Sequence, residues 1–77
     1  MEQATPSFSI RKDPEKPLLE LVVDSARGEK WEYGIPFNHR GDFDFEDIHA
    51  ITLEFGEDFG EELMAAIEDA IDQALSA

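Results

Sequence analysis

Carboxylates are the reactive groups this chain has in abundance: 19 Asp and Glu in 77 residues. Acid–base catalysis needs one carboxyl whose pKa is raised by burial. In so acidic a chain, pairs of carboxylates arise by chance, and solvated ones lack that burial. The remaining inventory is poor in partners for them. There are two histidines, His39 and His49, and four serines, Ser7, Ser9, Ser25 and Ser76, none in a nucleophile motif. No Cys is present, which removes thiolate nucleophiles, thiolate metal ligands and disulfides. A nucleophile, a base and a polarising group cannot be assembled from motifs in this sequence, so the expectation is a protein that is not an enzyme and needs no cofactor.

Metal binding has one candidate. Asp42-Phe43-Asp44-Phe45-Glu46-Asp47 places three side-chain oxygens two residues apart, as an EF-hand loop begins. The sixth position, where the loop needs Gly, is Asp47, and the twelfth, where it needs Glu, is Leu53. The better reading is the start of a helix, with Asp44 as the cap, Asp47 in the first turn, and Phe43 and Phe45 anchoring the chain to the core. His39, Asp42 and Asp44 lack metal-ligand spacing. Arg40-Gly41-Asp42 spells an integrin-type tripeptide, a match short enough to arise by chance.

Trp31, Tyr33 and Phe37 raise the question of an aromatic platform for nucleic-acid bases. Charge opposes it. The formal net charge is -13, and a phosphate backbone requires the opposite sign. Direct nucleic-acid binding is therefore not expected, and Trp31 and Tyr33 are assigned to the core beneath a helix.

The distribution of charge is more informative than its total. All six basic residues lie in the first 40 positions with seven acids, a net -1. From Gly41 onward there are twelve acids and no Lys or Arg, a net -12. General halophilic adaptation would not spare half the chain. On a helix over 58–75, Glu61, Glu68 and Asp72 fall in one row with Glu62 and Asp69 beside it. From Glu68 to Asp72 is one turn, about 6 Å along the axis. Ordinary surface helices mix signs and gain from i,i+4 pairs, and this one does not. The predicted partner-binding residues are Asp42, Asp44, Glu46, Asp47, Glu57, Asp58, Glu61, Glu68, Asp69 and Asp72.

These residues need elements to hold them. A chain this short supports one core, so residues 1–77 are read as one domain. Six Phe, Trp31 and Tyr33 within a 42% hydrophobic composition distinguish it from a disordered acidic chain. Ser7 to Lys12 alternates apolar and polar residues, with Phe8 and Ile10 inward. Asp13-Pro14-Glu15-Lys16-Pro17 is a turn. Leu18 to Asp24 is a strand with Leu19, Leu21 and Val23 on one face. A turn at Ser25 to Gly28, with Gly28 free to take positive φ, leads into a strand from Glu29 to Ile35 that Pro36 ends. Asp58 to Leu75 repeats Phe59, Leu63, Ala66, Ile67, Ala70, Ile71 and Ala74 at helical spacing, with Asp58 as its cap and Glu61 and Glu62 in its first turn.

Residues 45–55 fit two patterns. Phe45, Ile48, Thr52 and Phe55 make a helical stripe closed by Gly56, whereas Ile51, Leu53 and Phe55 alternate as a strand does. Helix is the preferred reading. The predicted fold class is α+β: a small antiparallel sheet of three strands, or four on the alternative reading, packed against one or two C-terminal helices. Met64 and Leu75 widen the apolar arc of the last helix, which suits contact with the sheet and with another helix, from this chain or from a second copy in a homodimer.

No apolar run approaches the roughly 20 residues of a membrane span, and Met1 to Pro6 has no basic-then-apolar leader pattern. A cytoplasmic protein without membrane contact is expected. In size, acidity and lack of catalytic residues the chain resembles phage-encoded inhibitors of host defence, including DNA-mimicking anti-CRISPR proteins. The resemblance is one of composition over the whole chain. It implies an inhibitor that presents a nucleic-acid-like surface to a basic nucleic-acid-binding protein, whose groove attracts carboxylates through the same field that attracts phosphates. The alternative is a structural or assembly adaptor, such as a phage morphogenesis factor, working through aromatic and apolar surface.

Overall fold

A computed structural model describes residues 5–76. Three strands, β1 (Ser7–Lys12), β2 (Leu18–Asp24) and β3 (Lys30–Pro36), precede two helices, α1 (Ile48–Phe55) and α2 (Glu57–Ser76). The strands form an antiparallel meander in the order β1-β2-β3, so the α+β class and the three-stranded sheet expected from periodicity are both present.

Register places the apolar set on one face. Phe8 pairs with Val23 and Val23 with Trp31; Ile10 pairs with Leu21 and Leu21 with Tyr33; Leu19 pairs with Ile35. The period of two then brings Ser9, Val22 and Glu32, and next Arg11, Glu20 and Gly34, to the opposite face, which no helix covers. Arg11 and Glu20 form an ion pair of 2.6 Å there.

Side chains fix the two tight turns. Between β1 and β2, the Asp13 carboxylate accepts the amides of Glu15 (2.8 Å) and Lys16 (3.0 Å). These bonds, the Glu15 amide first, hold the carboxyl below its ordinary pKa. Between β2 and β3, the buried Ser25 hydroxyl oxygen accepts the amides of Arg27 and Glu29, each at 3.2 Å. Gly28 has the expected positive φ of 87°, and Ala26 is left-handed as well at 69°. The strand that follows runs from Lys30 to Pro36 rather than from Glu29 to Ile35.

The helical layer departs from expectation at its starts. α1 begins at Ile48, not Phe45, and its N-cap is Asp47, which makes no side-chain capping bond. Asp44 caps nothing there, because the chain is still extended: Phe37 and Phe43 form an antiparallel bridge across the loop between them. Gly56, at φ 102°, ends α1, and α2 starts on the next residue. Asp58 is accordingly inside the first turn of α2 with Glu57 rather than at its cap, and Glu61 and Glu62 lie beyond that turn. The helix reading of 45–55 holds for residues 48–55, and no fourth strand forms among the described residues.

Buried residues make one cluster: Leu19, Leu21, Val23 and Ile35 from the sheet, Leu63, Ile67 and Ile71 from α2, Ile51 from α1, and Phe37 and Phe45 from the connection. Aromatic edges extend it. Phe8 meets Phe59 (ring centroids 5.6 Å apart), Phe59 meets Phe55 (5.0 Å) and Phe55 meets Trp31 (5.2 Å), linking β1, α2, α1 and β3 at one end of the domain. No helix among the described residues is long and apolar enough to cross a membrane.

Candidate protein-binding surface

α2 buries Gly60, Leu63, Ile67 and Ile71, which lie within one arc of the helix. Positions turned away from that arc must face water, and in this sequence they are mostly acids. Glu57, Asp58, Glu61, Glu62, Glu68, Asp69 and Asp72 are all exposed. Over a 20-residue helix this is one negative charge per roughly 4 Å of axis, against about 3.4 Å for each strand of B-DNA. The charges form two groups, 57–62 and 68–72, separated by Leu63, Met64, Ala65, Ala66 and Ile67.

The other predicted residues come from the connection into α1. Asp42, Asp44, Glu46 and Asp47 are exposed. Asp42 belongs to a closed loop in which the Asn38 side-chain oxygen accepts the amides of Arg40 (2.9 Å) and Asp42 (3.0 Å), while the Asn38 amide group donates to the Asp42 carboxylate (3.3 Å). Gly41, at φ 86°, lies against α2: a Cβ there would be 3.6 Å from Leu75 and 3.8 Å from Ile71. The loop thus sets Gly41 and Phe43 against the C-terminal half of α2, while Asp42 and Asp44 line a separate groove with Phe37 and Asn38. None of the ten predicted residues is on the uncovered sheet face.

One neighbour was not visible in the sequence. Arg40 lines a shallow groove with Glu68 and Asp72, although it is 28 and 32 positions away from them, and it forms no ion pair with either. Among the described residues, the only base paired to an acid of the helical layer is Arg27, bonded to Glu54 at 2.8 Å. The excess of like charge over this layer has a thermodynamic consequence. Raising salt from about 0.02 to 0.2 M, where the screening length shrinks most, is expected to raise the melting temperature by several degrees. Differential scanning calorimetry measures it, and a flat profile would mean that the acids are too dispersed to repel one another.

The aromatic candidates face inward. Phe37 is only 7% exposed and belongs to the core. Trp31 and Tyr33 are half-buried against Phe55 and Phe45 respectively, so α1 and its lead-in cover them rather than α2. Burial, with a smaller contribution from Asp47, raises the Tyr33 phenol above its ordinary pKa. None of these three rings is fully exposed to solvent. His39 and His49 are both exposed, and among the described residues no three His, Asp or Glu side chains converge as a metal site. Compared with known protein families, curated proteins and solved structures, the chain matches none.

Proposed function

We propose that this domain is a non-enzymatic inhibitor of the anti-CRISPR kind, presenting the acidic helical layer as a nucleic-acid mimic to a basic nucleic-acid-binding protein. The observation that carries the reading is the segregation of charge. Eleven exposed carboxylates lie on α2, on the lead-in to α1 and on the loop packed against α2, while the uncovered sheet face mixes Arg11 and Lys30 with Glu20, Asp24 and Glu32. A helix holds its charges at fixed spacing, so the acids are preorganised and little side-chain or backbone ordering is required on binding. A groove built for phosphates attracts such a surface over long range and accelerates association.

The test uses a partner captured from a host lysate in 50 mM salt, released by high salt and then purified. Duplex DNA is expected to compete with the domain for that partner. Changing Glu61, Glu68, Asp69 and Asp72 together to Lys is expected to weaken binding by more than about 100-fold, since like charges juxtaposed across an interface cost several kcal/mol. All four are exposed, so the thermal melt should remain cooperative. Neutral replacements should reduce affinity in steps, chiefly through slower association. A charge-reversed domain that binds with unchanged affinity excludes this row and directs attention to Asp42, Asp44, Glu46 and Asp47.

The adaptor alternative requires exposed apolar surface. Burial of Phe37 and the inward aromatics leave Leu53 and Leu75 as the exposed large hydrophobic side chains among the described residues.

A further inference from the structure

Leu53 is 89% exposed on the outer side of α1, opposite the buried Ile51, and contributes nothing to the core. Its sequence neighbour Glu54 and the nearby Glu57 are exposed acids, so an apolar side chain stands among carboxylates. This lies at the end of the domain where α1 stops, α2 starts and the β2–β3 turn reaches Glu54 through Arg27.

The opposite end carries a surface of inverse character. A groove of about 570 Å³ runs between the β1–β2 turn, the chain leaving β3 and the last turn of α2. Pro17, Phe37 and Leu75 give it an apolar lining, and Lys12, Lys16 and His39 stand around it. Glu15 is the single acid there. The Phe37 amide donates to the Pro17 carbonyl (3.1 Å), which ties two walls of the groove together. In a chain of net charge -13, this cavity has more basic than acidic side chains around it.

We infer that the groove receives Leu53 of a second copy of this chain, so that copies associate head to tail. The apolar side chain fills the lining of Phe37, Pro17 and Leu75, and Glu54 and Glu57 come opposite Lys12 and Lys16. The domain is 44 Å long and 21 by 17 Å across. Because knob and groove sit at opposite ends of α2, the contact is heterologous and leaves one of each unused in every dimer. Growth therefore continues into short chains. The contact shares Glu57 with the acidic layer but uses none of Glu61, Glu68, Asp69 and Asp72, so the charge-reversed variant of that row leaves it intact.

Sedimentation of the pure protein at 0.15 M salt tests it. A contact this small belongs to the weak class, so the average mass is expected to climb past that of a dimer between about 0.05 and 2 mM. Leu53→Ser removes the knob, and Lys12→Glu with Lys16→Glu converts the rim. Each variant alone should remain monomeric, and an equimolar mixture should form one-to-one dimers that grow no further. In unmodified protein, dilution should move the amide resonances of Lys16, His39 and Leu53 together, a readout that needs no variant. A monomer throughout that range, association that survives either variant, or a mixture that does not pair overturns the inference.

Discussion

Ile67→Asp is expected to leave the chain unfolded at room temperature. Ile67 has no exposed surface and sits in the core cluster between sheet and helices. Losing an isoleucine of this kind costs about 2–5 kcal/mol. Placing an unpartnered polar or charged group in the vacated site adds several more. A 77-residue domain has a total stability of roughly 4–12 kcal/mol, so the combined loss equals or exceeds the whole margin. Far-ultraviolet circular dichroism and a urea titration measure it. Ile67→Val, which removes one methyl, should remain folded with a loss of about 1 kcal/mol. A cooperative melt unchanged by the Asp substitution would mean that α2 does not pack on the sheet through this face.

Gly60→Ala should destabilise the domain by about 1–3 kcal/mol, although the same change in an exposed helix interior stabilises by up to about 1 kcal/mol. The opposite sign comes from the approach of α1 to α2. A Cβ at Gly60 would lie 2.4 Å from the Thr52 hydroxyl oxygen, 3.3 Å from its Cβ and 3.4 Å from its methyl. Rotating Thr52 does not clear the site, because its hydroxyl and methyl both face Gly60, so any staggered rotamer leaves one of them there, and the hydroxyl donates to the Ile48 carbonyl at 2.7 Å. The helices must separate instead. Thr52→Ala removes two of the three obstructing atoms, and in that background Gly60→Ala should cost less than about 0.5 kcal/mol. The four urea midpoints form a double-mutant cycle with a large coupling. If Gly60→Ala raises the midpoint of the parent protein, the close approach is wrong.

Strand positions were readable because the side-chain period of two coincides with burial on one face only. Leu19, Leu21 and Val23 alternate with half-buried neighbours, and no competing pattern fits them. Residues 45–55 were harder, since Phe45 fits a helical stripe while the backbone around it is still extended and bridged at Phe43. That bridge also buries Phe37, which follows a proline and precedes loop residues, so nothing local marks it as core. The displacement of the α2 cap from Asp58 has a similar origin. Gly56 turns the chain sharply enough for helix to resume at Glu57, leaving no separate capping residue. In the candidate surface, exposure of the acids followed from residue type alone. The nearness of Arg40 to Glu68 and Asp72, like the fit of Gly60 against Thr52, depends on tertiary placement that spacing cannot encode.

The layering of the domain gives its charge a direction as well as a size. Carboxylates gather on the helical side, and a sheet of mixed sign forms the other. Such a body near any cationic surface experiences a torque in addition to attraction, and it turns its helices toward that surface before contact. The same torque acts at an anion-exchange matrix, where the bound domain presents Ser9, Val22 and Glu32 outward to the solvent.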